Sequence, residues 1–81
     1  MSPIEYKVLE FVRKRTDRDD VDFGPPTVRD MRKWINHPDA ASCLYGLEIN
    51  KYVEVSGIKK PRSMKRYLIT EAGRNLLRAA P

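Results

Sequence analysis

Cysteine, histidine and long apolar runs are scarce in this chain, and each scarcity removes a class of protein. The one cysteine, Cys43, excludes an internal disulfide and a zinc site built on thiolates, and it points to a reducing cytoplasm. The one histidine, His37, stands in no His, Cys or carboxylate pattern that would make it a ligand, so no metal is expected. No apolar run approaches the roughly 20 residues that cross a bilayer, so no membrane role is expected. Met-Ser-Pro-Ile-Glu at the start has no basic segment followed by an apolar one, which predicts no secretory signal. There is no glycine-rich phosphate loop and no nucleophile–base motif, so neither a cofactor nor an enzymatic activity is expected. Asp17, Asp19, Asp20 and Asp22 suggest a calcium loop. The EF-hand spacing fails because Val21, Asp22 and Val28 stand where an oxygen donor, a glycine and a glutamate are required.

The 81 residues suit one domain with a modest core. The net charge of +5 is unevenly placed. Residues 1–24 and 25–50 are close to balanced, whereas residues 51–81 carry eight bases against Glu54 and Glu71. Five of those bases, Lys59, Lys60, Arg62, Lys65 and Arg66, fall in "GIKKPRSMKRYLIT" (57–70), which has no acid. Localised positive charge implies a polyanionic partner.

Periodicity and capping signals give the elements. Ser2-Pro3-Ile4-Glu5 is a capping box with proline at the first helical position. Ile4, Val8, Phe11 and Val12 follow at helical spacing, with Leu9 beside them, which predicts a helix over 3–16. "DRDDVDFGPP" is a loop in which Val21 and Phe23 could form a short strand. Thr27 caps a second helix with Val28, Met31 and Ile35 on one face, Trp34 at its edge and an end near Asn36. Pro38 suits the first turn of a third helix, with Asp39 or His37 a possible cap. Ala40, Cys43, Leu44 and Leu47 form its buried stripe, and it ends near Asn50-Lys51. Residues 52–55 and 65–70 alternate as two strands, and Thr70-Glu71 opens a last helix containing Leu76 and Leu77. The expected core includes Val8, Phe11, Met31, Leu44, Leu47, Val53 and Ile69.

This order is that of a winged helix-turn-helix domain: a mainly helical α+β fold with a three-helix core, a two-stranded wing and a C-terminal helix. "EYKVLEFVRKRTDRDDVDFGPPTVRDMRKWI" resembles the DNA-binding domain of the LexA repressor family, through Val8, Leu9, Phe11, Val12, Pro25, Pro26, Thr27, Arg29 and Met31. "LYGLEINKYVEV" resembles the end of that family's third helix and the start of its hairpin, with Lys51 standing where the family has glycine. "YLITEAGRNLL" is similar to the hairpin exit of MarR- and PadR-like regulators, Tyr-x-[Leu/Ile]-Thr-x-x-Gly-Arg.

The resemblance implies sequence-specific binding of double-stranded DNA by a small regulator of transcription, of a size that suits a phage, plasmid or other microbial genome. The third helix would enter the major groove, with Asn36, His37, Asp39, Ser42 and Tyr45 as candidate base contacts beside Gly46 and Ile49. Lys59, Lys60, Arg62, Lys65 and Arg66 would lie along phosphates, with Pro61 stiffening the loop. Thr27, Arg29, Arg32 and Lys33 could hold the backbone from the second helix. Pairing of those bases with Asp30 is the structural alternative. A homodimer held through the first or last helix is expected on DNA. The rival reading is a winged helix that binds a partner protein, favoured by the weakly basic third helix.

Overall fold

The computed structural model describes residues 2–17, 26–56, 59, 61 and 65–79. Four helices and a two-stranded antiparallel sheet make a mainly helical α+β structure: α1 (Pro3–Thr16), α2 (Val28–Trp34), α3 (Ala40–Ile49), β1 (Val53–Ser56), β2 (Arg66–Ile69) and α4 (Glu71–Ala79). The expected strand at Val21–Phe23 lies outside the described residues.

Helix α1 starts where its capping signal places it. The Ser2 hydroxyl accepts from the Glu5 amide at 3.3 Å, and Pro3 fills the first position. Its inner face buries Val8, Leu9 and Val12 completely. Phe11, expected in the core, is only half-buried, because Leu9 takes the central position and Phe11 is turned to its margin. Helix α2 opens with a complete capping box: the Thr27 hydroxyl accepts from the Asp30 amide (3.1 Å), and the Asp30 carboxylate accepts from the Thr27 amide (3.2 Å). Val28 and Met31 are buried, while Trp34 is 65% exposed and belongs to the surface.

Helix α3 begins at Ala40, two residues after Pro38, which sits with Asp39 in a turn. Asp39 makes no side-chain cap. Its own amide donates to Nδ1 of His37 at 3.1 Å, so the imidazole holds the turn that leads into the helix. Ala40, Leu44 and Leu47 are buried, and Cys43 is half-buried at the edge of the stripe.

The end of α3 is a Schellman turn: Tyr52 N–H donates to the Leu47 carbonyl (2.9 Å) and Lys51 N–H to that of Glu48 (3.0 Å). This geometry puts Lys51 at φ 63°, the left-handed region where glycine is usual. A non-glycine residue there costs roughly 1–2 kcal/mol. The lysine charge at a helix C-terminus offsets part of that.

β1 and β2 pair with Val53 opposite Ile69 and Val55 opposite Tyr67. Val53, Tyr67 and Ile69 face the core, and Tyr67 is its largest fully buried side chain. The Tyr67 and Ile69 amides donate away from β1, to the Pro26 carbonyl (2.9 Å) and the Thr16 hydroxyl (3.2 Å). Thr16 in turn donates to the Val12 carbonyl at 2.7 Å. The outer edge of β2 is thereby closed by the segment entering α2 and by the end of α1.

Five residues of the "YLITEAGR" segment have structural tasks. Tyr67 and Ile69 fill the core, and Thr70 caps α4 by accepting from the Gly73 amide (3.1 Å). Gly73 permits α4 to touch the hairpin, since a Cβ there would overlap the Tyr52 carbonyl oxygen and lie 2.8 Å from Ile69 Cγ1. Arg74 reaches α1, as described below.

Gly73→Ala is therefore expected to lose roughly 1–3 kcal/mol or more by displacing α4 from the hairpin. At Gly46 a Cβ would meet nothing within 4 Å, so Gly46→Ala should gain about 0.5–1 kcal/mol from helix propensity alone. Chemical denaturation of both variants checks the pair. Equal effects would contradict this packing.

Candidate nucleic-acid interface

Helix α3 presents two opposed faces. Ala40, Leu44 and Leu47 point inward; Ser42, Tyr45, Gly46 and Ile49 recur at i, i+3, i+4 and i+7 on the opposite side. Ser42 is exposed, Ile49 is 79% exposed, and Tyr45 and Gly46 are half-buried. There is no lysine or arginine between Ala40 and Ile49, and Glu48 is the only charged residue.

The turn before α3 is ordered by backbone bonds from His37 N–H to the Ile35 carbonyl (2.9 Å) and from Ala40 N–H to the His37 carbonyl (3.2 Å). Arg32, Asn36, His37 and Pro38 line one side of a shallow groove of about 430 Å³ beside Ile35 and Ala41. With Nδ1 accepting from the Asp39 amide, Nε2 is the ring nitrogen that His37 offers from an exposed position. The structure thus brings Asn36 and His37 to the groove with Arg32, while Asp39 is exposed at the start of α3.

Arg29, Arg32 and Lys33 share the outer side of α2, are exposed, and form no ion pair among the described residues. Asp30 is not their partner. Besides closing the Thr27 cap, its carboxylate lies 3.8 Å from the Arg15 guanidinium and 4.0 Å from that of Arg66. Thr27 is half-buried with its hydroxyl oxygen occupied by the cap, and is foremost a structural residue.

In the hairpin, Lys59 and Pro61 are exposed and Lys65 is half-buried. Lys60 and Arg62 lie outside the described residues. Arg66 is exposed at the base of β2 but turned toward Asp30, so it braces the hairpin against α2 as well as adding charge. Arg15 was not singled out from sequence. It is only 7% exposed, with its guanidinium 5.6 Å from the centre of the Phe11 ring. Its place on the Val8–Val12 stripe was the available signal.

Along α1 and α4 most charges are paired: Glu10 with Arg13 (2.6 Å) and Lys14 (3.9 Å), Arg13 with Asp17 (3.7 Å), and Arg78 with Glu71 (3.7 Å), while Lys7 is exposed with no ion pair among the described residues. Arg74 grips Asp17 with both ends of its guanidinium, one bond measuring 2.9 Å. The Arg74 hydrogen bonds hold the Asp17 carboxyl below its ordinary range, against the opposing effect of burial. The Glu10 hydrogen bond raises Arg13, and the Asp17 hydrogen bond raises Arg74. Burial pushes the Cys43 thiol up, which disfavours the reactive thiolate.

Among the described residues no three His, Cys, Asp or Glu side chains are grouped to hold a metal ion, and no helix is long and apolar enough to cross a membrane. The chain matches no protein-family model, no curated protein and no solved structure.

The depressed Asp17 value has a definite pH consequence. The carboxylate is stabilised by folding, so the contribution is complete above the ordinary value of 3.8 and is lost as pH falls through the lower folded value. The pair is well exposed, which limits it to at most about 1 kcal/mol. Asp17→Asn should melt a few degrees lower than the parent at pH 7 and converge with it near pH 2. A constant difference across that range would contradict the linkage.

Proposed function

We propose that this chain is a winged helix-turn-helix protein that binds double-stranded DNA and acts as a small cytoplasmic, nucleoid-associated regulator of transcription. The observation that carries this reading is the division of charge. Arg29, Arg32 and Lys33 are exposed on α2 without acidic partners among the described residues, and Lys59 is exposed on the hairpin, whereas on α1 and α4 every base but Lys7 has an acidic partner. Helix α3 packs on α2 and runs directly into β1. A helix entering the major groove would then have cations preceding it and following it along the chain, where phosphates flank the groove.

In this reading Asn36, His37, Ser42 and Tyr45 meet base edges, with Asp39 available to accept from a cytosine amino group. Lys59, Lys60, Arg62 and Lys65 ride along phosphates. A second copy would join across α1 and α4, where Tyr6 and Leu77 border a groove, so that two half-sites are bound together. The competing reading is a module that binds a partner protein, favoured by exposed Trp34 and Ile49.

Salt dependence separates the two. Each phosphate neutralised adds about 0.9 to the slope of log affinity against log salt on duplex DNA. Replacing Lys59, Lys60 and Arg62 together by Ala should flatten the slope by roughly 2–3 and weaken cognate and random duplexes alike. An unchanged slope would leave the loop merely solvated and favour the protein partner.

A further inference from the structure

The exposed face of α3 is poor in hydrogen-bond donors, and that poverty has a chemical complement. Guanine shows two acceptors, N7 and O6, in the major groove, and the usual reader is an arginine or lysine. Helix α3 has neither. Thymine shows a single O4 acceptor and a C5-methyl group, which is read by apolar contact. Ile49 is a branched apolar side chain, 79% exposed, directly opposite the buried stripe.

Gly46 lies one helical turn before Asn50, on the same outward side as Ser42 and Ile49. Nothing in the core requires it, because a Cβ there would meet no atom within 4 Å. Glycine weakens a helix interior, and its missing side chain lets a partner approach the α3 backbone closely. Ser42 adds a hydroxyl able to donate to thymine O4 or accept from the adenine amino group.

We propose that the outer face of α3 reads thymine methyl groups, so that the DNA bound by this protein is A·T-rich beneath α3. Recognition there rests on apolar contact with Ile49 and on close approach at Gly46, with no arginine–guanine pair from this helix. The proposal rests on the DNA-binding reading above. The exposed bases of α2 and Lys59 favour a polyanion over an apolar protein surface as the occupant of this face.

The test begins with duplexes selected from a random pool, which should share an A·T-rich core. Thymines in that core are then replaced by uracil, which keeps O4 and base pairing and removes only the methyl group. Affinity should fall about fourfold for each contacted methyl. Ile49→Ala should bind thymine and uracil duplexes alike, and Ile49→Val should keep most of the discrimination. A guanine-rich core, or equal binding of both duplexes by the parent with salt-dependent affinity intact, overturns the thymine reading and leaves DNA binding standing. Absence of salt-dependent binding to any duplex overturns both readings.

Discussion

Two hydrogen bonds on the outer edge of β2 hold the hairpin to the helices. The Tyr67 amide reaches the Pro26 carbonyl, and the Ile69 amide reaches the Thr16 hydroxyl. A two-stranded hairpin is marginal in water by itself. Here its free edge is satisfied by the end of α1 and the entry to α2, and its inner face places Tyr67 and Ile69 in the core. The same anchoring sets the neighbouring elements. Arg66, next to Tyr67, comes within reach of Asp30, which also caps α2 and faces Arg15 of α1. Thr70, next to Ile69, caps α4 and donates to the Lys51 carbonyl at 2.8 Å.

Much of this was legible in the sequence, and the rest was hidden for identifiable reasons. Helix α1 was bounded correctly because Ser2-Pro3 and the Val8–Val12 stripe are local signals, and the helix, helix, helix, hairpin, helix order follows from periodicity and capping signals, with the expected strand at Val21–Phe23 outside the described residues. The side on which Tyr67 and Ile69 lie follows from strand alternation. Phe11 and Leu9 exchanged roles because helical spacing sets Leu9 beside the Val8–Phe11–Val12 stripe without saying which of these neighbours lies deepest. The start of α3 slipped because Pro38 and Asp39 form a turn of their own, held by the His37 imidazole on the Asp39 amide, before the helix begins at Ala40. The Arg15–Asp30–Arg66 cluster and the Asp17–Arg74 latch join residues far apart in sequence, so no local rule announces them.

The candidate site divides in the same way. Exposure of Ser42 and Ile49 was implied by helical spacing. The engagement of Arg66 with Asp30 was not, and it moves that residue from free charge toward bracing. Of the motifs that suggested a regulator, Tyr67-x-Ile69-Thr70-x-x-Gly73-Arg74 is occupied with architecture: core, cap, close contact and latch. It bears on fold. The weight of the functional reading falls instead on Arg29, Arg32, Lys33 and Lys59, exposed bases with no ion pair among the described residues, around a helix face of small and apolar groups.

That assignment of faces is the central claim, and mapping of amide shifts in the isotopically labelled protein on adding duplex DNA tests it most directly. The account predicts changes at Arg29, Arg32, Lys33, Ser42, Gly46, Ile49 and Lys59, with Tyr6, Glu10 and Arg78 on the α1–α4 side little affected when a single half-site is added. Changes confined to the α1–α4 side, or none at DNA concentrations that saturate binding, would contradict it.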